Sequence, residues 1–387
     1  MIKRQISEKC IELAKQYPVL SMTGPRQSGK TTLAKTLFKD KEYVNFEDPD
    51  IRTQALDDPR GFLGNYPDGA VFDEVQRVPQ MLSYIQSIVD KSKKKGLFIL
   101  TGSQQLEVSR AVTQSLAGRT ALIKLLPLSI EELRASKPSQ VHNLEKLILK
   151  GFYPRLYKEK MDPANYYMNY FETYVQRDLR QISQIEDLHH FEKFVKLLAS
   201  RVGQILSYSG IANDLGVSQP TIKKWISILE ASFIIYLHKP YFANIGKRLI
   251  KSPKIYFIDT GLLAYLLGIS DEKELKQHHL RGGIFENLVI SEFLKHRYNL
   301  ALTPNLYFLR DKTGNEVDLV RENALNLDLI EIKSSQTIEK SLVKNLNASK
   351  IWPKVKVGKK IAVYAGTKSF NIFDTRVIPW TNMSEVL

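Results

Sequence analysis

Residues 24–31 read Gly-Pro-Arg-Gln-Ser-Gly-Lys-Thr, a complete G-x-x-x-x-G-K-[ST] loop. The apolar run Pro18–Thr23 precedes it and the helix-forming stretch Thr32–Phe38 follows it. Strand, glycine loop and helix in that order make a phosphate cradle, which confines this part of the chain to a parallel α/β sheet. The glycines let successive backbone N–H groups curl around an anion, and the helix N-terminus adds its positive dipole end. Gly24, Pro25, Arg26, Gln27, Ser28, Gly29, Lys30, Thr31 and Thr32 are therefore the expected nucleotide contacts, for ATP or GTP. Lys30 is placed to reach the β- and γ-phosphates, and Thr31 to ligate Mg²⁺.

A hydrolase of this type needs an acidic strand end, and Ala70-Val71-Phe72-Asp73-Glu74 supplies one. Asp73 is expected to hold Mg²⁺ and Glu74 to polarise the attacking water. The plainer alternative is a turn or helix cap. Gly96–Gln104 is a further apolar run ending in small polar residues, as a sheet buried on both faces produces. Ser103 or Gln104 is then a γ-phosphate sensor or part of an ordinary turn. Arg119, after Gly118, is either an arginine finger or a loop arginine.

These stretches, with Val71–Gln76, Leu100–Ser103 and Ser115–Arg119, resemble the prokaryotic AAA-type ATPases of the AAA_14 group, which carry a C-terminal domain labelled DUF4143. The resemblance continues through Gly151–Pro154, Tyr174–Asp178 and Lys251–Gly261, and so covers nearly the whole chain. It implies an ATPase fold and ATP with Mg²⁺ as cofactors.

Residues 206–231 read as a helix-turn-helix. Ile211, Ala212 and Leu215 form one apolar face, Gly216 permits the turn, Ser218 is an N-cap and Pro220 lies in the next first turn. Ile222, Trp225, Ile226 and Leu229 recur at helical spacing. Ser232–Leu237 and Lys254–Ile258 are the expected strands of a wing, across a basic connection. If the unit reads DNA, Gln219, Thr221, Lys223 and Lys224 face the groove while Lys247, Arg248 and Lys251 meet phosphate. The alternative is a packing or lever module.

In the last third, Asn315–Val320 and Leu329–Lys333 read as strands joined by a hairpin, with twelve residues between Asp318 and Glu331. Both carboxylates then face one way, and Lys333 shares the face of Glu331. This resembles the D-x(n)-E-x-K core of PD-(D/E)xK nucleases, in which Asp318 and Glu331 would hold Mg²⁺ or Mn²⁺ and Lys333 would position a water or offset charge. Glu286 sits on the apolar face of a helix with Val289, Ile290 and Phe293, and it fits the helical glutamate of that class. An ordinary strand-face ion cluster is the alternative. The lysine-rich tail from Lys340 to Lys360 is either a set of phosphate contacts or a solvated face.

The expected architecture is α/β: a P-loop NTPase parallel-sheet domain (1–160), a helical connector (161–195), a winged helix-turn-helix (196–258) and a restriction-endonuclease-like α/β domain (259–387). A formal net charge of +15 favours a polyanionic partner, DNA first. No apolar run is long enough to span a bilayer, and the N-terminus carries no signal-peptide pattern. One cysteine, Cys10, excludes a disulfide framework and fits a reducing cytoplasm. Arg119 and Arg177 are each able to act in cis or across a subunit boundary, which leaves a monomer and a homo-oligomer, a ring included, both open. The functional expectation is an ATPase that binds DNA and acts on it through a metal-dependent nuclease-like domain. The alternative is a nucleotide-switched scaffold whose C-terminal domain is inactive. A sequence-specific regulator fits less well, because two lysines on the second helix favour phosphate over bases.

Overall fold

In the computed structural model, residues 2–103, 116–178, 188–242, 252–311, 314–323, 326–337, 339, 343–347 and 356–387 are described. Five short apolar runs form an all-parallel sheet: β1 (Val19–Thr23), β2 (Glu42–Asn45), β3 (Ala70–Asp73), β4 (Phe98–Gly102) and β5 (Thr120–Lys124), in the order β2-β3-β4-β1-β5. Alternation along the strands sends Phe72, Phe98 and Leu100 into a core with Phe46, and Val71, Ile99, Leu20 and Met22 into another with Leu33 and Cys10. Each face is thus sealed by helices, and only the strand ends stay open to a ligand. β4 lies between the P-loop strand and the acidic strand, so its C-terminal residues fall between the two motifs.

Helices fill the middle of the chain. Pro163–Tyr170 continues into a π-helical turn over Phe171–Asp178, and Tyr153, Tyr166, Tyr167, Tyr170 and Tyr174 pack ring against ring. Asp259 is buried beneath them; it accepts from the backbone N–H of Phe152 at 2.7 Å and of Leu262 at 3.0 Å. A side chain at Gly261 would put Cβ 2.4 Å from a Tyr167 ring carbon, so both sequence stretches containing Gly151 and Gly261 are explained by close packing.

Helices Tyr208–Leu215 and Gln219–Ala231 are joined at Gly216, whose φ is 67°. Ser218 caps the second through the Thr221 N–H, and Ile222, Trp225, Ile226 and Leu229 are its buried face. After them β6 (Ile235–Pro240) and β7 (Lys254–Phe257) form an antiparallel pair in the register Ile235↔Phe257. β6 then runs on to pair Lys239 with Tyr307, so this hairpin is also the edge of the C-terminal sheet.

That sheet has eight strands in the order β12-β13-β11-β10-β9-β8-β6-β7, adding β8 (Leu306–Arg310), β9 (Glu316–Asn323), β10 (Asn326–Lys333), β11 (Lys356–Tyr364), β12 (Phe370–Ile372) and β13 (Thr375–Pro379). The helix Arg281–Asn299 packs against it and also touches the ATPase half: Glu292 accepts from the Ile130 N–H at 2.7 Å, and Asn299 donates to Gln5 at 2.8 Å. Among the described residues, no helix is long and apolar enough to cross a membrane.

Candidate functional site

The loop after β1 folds as its glycines require. A Cβ on Gly24 would lie 2.1 Å from the Leu125 carbonyl oxygen, and Gly29 has φ 95°. Gln27 holds φ 62°, a left-handed value uncommon for a side-chain-bearing residue, while the Tyr166 hydroxyl donates to its Oε1 at 2.8 Å. The tyrosine-rich helix thus rests on the loop, and Arg26 lies 5.5 Å from the Tyr174 ring centre. Ser28 is buried, with an Oγ that finds no partner. Thr32 is exposed in the first turn of the helix.

Lys30 is 5% exposed and folds back over its own loop, donating to the carbonyls of Gly24 (2.9 Å) and Pro25 (2.8 Å). Burial lowers its pKa to about 8, assisted by Arg26, while Glu74 and Asp73 work in the opposite direction. An arriving phosphate replaces two neutral carbonyls by anionic oxygen and restores the ammonium. Nucleotide binding at pH 8 is therefore expected to take up about half a proton per chain, fading as pH falls toward 6.5. Calorimetry in buffers of different ionisation enthalpy reads this directly; uptake that is equal at pH 7 and pH 8 contradicts it.

Asp73 is the meeting point of three hydroxyls. Thr31 donates to Oδ2 at 2.8 Å, Tyr43 to Oδ2 at 2.7 Å, and Thr101 of β4 to Oδ1. Glu74, in the left-handed region at φ 55°, accepts from Ser103 at 3.0 Å and from the Gln76 amide. Lys30, Thr31, Asp73, Glu74 and Ser103 are thus brought together at the carboxyl ends of β1, β3 and β4. Gln104 lies outside the described residues. Arg119 is not in this group. It precedes β5 at the opposite strand ends, about 16 Å away along a five-residue strand, with its guanidinium bound to Asp90 (Nη2 to Oδ2 2.9 Å). The side chain of Arg177 lies outside the described residues.

The second constellation is on β9 and β10. Leu319 pairs with Ile330, which sets Glu331 across from Asp318 on one face. Asp318 Oδ2 accepts from the Ile332 N–H at 2.8 Å. Lys333 Nζ is 2.5 Å from Glu331 Oε1 and 4.0 Å from Asp318 Oδ2, and Asn345 also donates to Glu331 at 3.0 Å. Burial drives the Asp318 carboxyl well above the usual range, and the nearby Glu286 and Glu331 push it further; Lys333 and Lys254 oppose. Burial also raises Glu331, whose Oε2 is enclosed without a partner.

Glu286 approaches this pair from the helix Arg281–Asn299, but its Oε1 is already engaged by Lys254 at 3.0 Å and by the Tyr256 hydroxyl. Lys254 also pairs with Glu316 and lies 5.6 Å from the Phe308 ring centre. Burial works to neutralise Lys254, yet Glu286, Asp318 and Glu316 together hold its pKa above the ordinary value. His238, fully buried behind Asp318, is lowered to about 3 by burial and by Lys254, so it is neutral. Among the described residues, no group of three or more carboxylate, imidazole or thiol side chains is arranged to hold a metal ion. Asp318 and Glu331 are two such groups, and a hard cation held by two carboxylates keeps several waters. The enclosed Glu331 Oε2, which has no partner, is the open position such a cation would use, whereas the raised Asp318 carboxyl works against its ionised form until a cation offsets that cost.

Gln219, Lys223 and Lys224 are exposed and Thr221 is half-buried on the second helix of the helix-turn-helix, with Lys223 5.8 Å from the Tyr208 ring centre. Lys247, Arg248 and Lys251 lie outside the described residues, as do Lys340, Lys350 and Lys354 of the tail.

The AAA domain (AAA_14) matches residues 16–134, a domain of unknown function (DUF8612) matches residues 141–273, and another (DUF4143) matches residues 281–383. An uncharacterized protein of Mycobacterium tuberculosis is 30% identical over 365 residues, covering 93% of this chain and 79% of its own length. This chain belongs to the AAA_14/DUF4143 family of AAA-type P-loop ATPases. A second relative within reach, an uncharacterized protein of Methanocaldococcus jannaschii, is 24% identical over 329 residues, 77% of this chain and 70% of that one. Among solved structures, the chain is similar to a Walker-type ATPase of Pyrococcus abyssi (TM-score 0.43, 14% identity, 69% of this chain and 96% of that one). It is also similar to AMPPCP-bound DnaA from Aquifex aeolicus (TM-score 0.29, 17% identity, 58% and 85%).

For this AAA_14/DUF4143 ATPase, several residues of the two sites escape motif reading. Tyr43 and Thr101 complete the Asp73 network, and Gln76 completes that of Glu74. For Thr101 and Gln76 the signal was faint, two residues from Ser103 and Glu74 respectively, and Tyr43, in β2, is far along the chain from either motif. Arg4 had none. It is 5% exposed and donates to the P-loop carbonyl of Ser28 at 2.8 Å from a segment 24 residues upstream. Lys254 likewise reads as a strand residue until the fold sets it between Glu286 and Glu316.

Proposed function

We propose that this protein hydrolyses ATP with Mg²⁺ at the P-loop and uses the nucleotide state to control a DNA-binding helix-turn-helix and a metal-dependent nuclease-like C-terminal centre. The observation that carries the ATPase part is the pairing of roles at β3. Asp73 gathers Thr31 and Thr101 around a cation position, while Glu74 is held separately by Gln76 and Ser103. Bound Mg²⁺–ATP supplies the electrophilic phosphorus and part of its charge neutralisation. In this chain, Thr31 and Asp73 would hold the cation and the 24–32 loop with Lys30 the phosphates. Glu74 orients the attacking water and takes its proton, and Ser103 and Gln76 hold Glu74 for that task.

The DNA part rests on the charge of +15, on the exposed Gln219, Lys223 and Lys224, and on Asp318, Glu331 and Lys333 sharing one face. In this reading residues 1–160 are the motor, 161–195 the connector, 196–258 a winged helix-turn-helix and 259–387 the nuclease-like domain. Mg²⁺ or Mn²⁺ would be held by Asp318 and Glu331. A homo-oligomer would give Arg119 a site to reach, in the neighbouring subunit. A cytoplasmic location fits the single buried Cys10.

A second reading, a nucleotide-switched scaffold with an inactive C-terminal domain, draws on Glu286 being taken up by Lys254 and Tyr256. The purified protein is to be incubated with supercoiled, linear and branched DNA, ATP, and Mg²⁺ or Mn²⁺, beside Asp318→Ala and Lys30→Ala. Cleavage lost in Asp318→Ala is the expected result, and its loss in Lys30→Ala as well shows nucleotide control. ATP turnover that DNA neither stimulates nor accompanies with cutting decides for the scaffold.

A further inference from the structure

We propose that Lys254 is the built-in cation of the C-terminal carboxylate centre, neutralising its Glu286–Glu316 side so that the Asp318–Glu331 side takes a single divalent cation. This rests on the reading of Asp318 and Glu331 as a cation site. Lys254 is 3% exposed and comes from β7, the return strand of the hairpin behind the helix-turn-helix. Its ion pairs are with Glu286 (3.0 Å, Oε1) and with Glu316 at the start of β9, while Asp318 acts on it from beyond ion-pair distance. The Phe308 ring 5.6 Å from Nζ and the Tyr256 hydroxyl on Glu286 close the rest of its surroundings.

Charge decides what this arrangement does. Glu286, Glu316, Asp318 and Glu331 bring four carboxylates, and Lys254 and Lys333 bring two ammonium groups. With all four ionised, as a bound cation would hold them against the cost of burial, two negative charges remain, the complement of one divalent ion. Arg310 reaches Glu316 at 3.4 Å from the exposed rim, where solvent screens it, and His238 adds no charge. An ammonium between Glu286 and Glu316 also occupies the space a second cation would need, and it uses the Glu286 oxygen that would ligate one. Lys254 is a positioning residue: it acts through these two carboxylates. Being on the hairpin, it makes the centre a joint product of two regions of the chain.

The test is Mn²⁺ uptake by the full-length, nucleotide-free protein, followed by loss of the free-ion signal in electron paramagnetic resonance. Asp318→Asn serves to subtract binding elsewhere. Wild type is expected to take up one Asp318-dependent Mn²⁺. Lys254→Met is expected to gain an additional one, abolished by adding Glu286→Gln, while Lys254→Arg keeps the wild-type stoichiometry. A folded Lys254→Met protein, by near-ultraviolet circular dichroism, that binds a single Mn²⁺ with wild-type affinity overturns the proposal. Glu316→Gln covers the case in which Lys254→Met does not fold. It removes one compensating carboxylate and is expected to weaken the single Mn²⁺ about tenfold; unchanged affinity again overturns the proposal. If wild type shows no Asp318-dependent Mn²⁺, the cation reading of the native site fails. An ion gained only in Lys254→Met and abolished by adding Glu286→Gln would still establish Lys254 as the resident cation, and no ion in either would sink both.

Discussion

Glu74→Gln is expected to lower the ATP turnover rate about 10²–10⁴-fold while leaving nucleotide affinity near that of the wild type. The amide keeps the shape of the side chain and its contact with Ser103, but it accepts no proton from water. Asp73, Thr31 and Lys30, which would hold cation and phosphate, are untouched by the change. Lys30→Ala is expected to behave differently, because the desolvated ammonium is the charge that meets the phosphates; affinity and turnover fall together. Equilibrium binding of a fluorescent ATP analogue, beside single-turnover hydrolysis, separates the two. Turnover within tenfold of wild type in Glu74→Gln would move the base to another residue.

Arg4→Met is expected to destabilise the ATPase half by about 3–5 kcal/mol, the cost of stripping one partner from a buried ion pair. Arg4 Nε lies 3.0 Å from Glu132 Oε1, and the two side chains are 6% and 0% exposed. Nη1 and Nη2 also satisfy the carbonyls of Ser28 and Leu126, at 2.8 and 2.6 Å. Losing the guanidinium leaves a buried carboxylate and two buried carbonyls short of donors. Glu132 keeps only the N–H groups of Gln5 and Ser129. The double variant Arg4→Met/Glu132→Leu is expected to recover much of the loss, since it removes the stranded charge as well. Urea unfolding followed by ATPase-domain signals measures both. Equal destabilisation by the single and double variants would assign the cost to packing alone.

Because Nη1 holds the Ser28 carbonyl inside the phosphate loop, Arg4→Met is also expected to weaken nucleotide binding.

Much of the scaffold is legible in the sequence. The P-loop stands where strand, glycine turn and helix required it, and the acidic end of β3 arrives beside it. The helices at 208–215 and 219–231 start and stop at Ser207, Gly216 and Ser218. Asp318 and Glu331 share a face because both strands alternate with period two, and they lie across from one another because the short turn sets Asn323 opposite Asn326. Each of these elements depends on residues close together in the sequence, while the approach of the acidic strand end to the P-loop depends on the sheet order.

The placement of Arg119 was not legible in this way. A Gly-Arg loop has the same local form at either end of a parallel sheet, and only the parallel pairing of β5 with β1 shows that this one faces away from the P-loop. The engagement of Glu286 was hidden for a related reason. Its helical face announced a carboxylate turned inward, but not which cation awaited it.

The sequence by itself determined the nucleotide loop, the acidic strand end, the helix-turn-helix and the carboxylate hairpin, since turn chemistry and side-chain periodicity act over a few residues. Tertiary structure alone decided that Arg4 pairs with Glu132 across 128 positions, that Lys254 stands between Glu286 and Glu316, and that the β6–β7 hairpin closes the C-terminal sheet. Those partners are chosen by desolvation. A charge carried into the interior must find its opposite among whatever side chains the fold has brought there, and distance along the chain has no bearing on that choice.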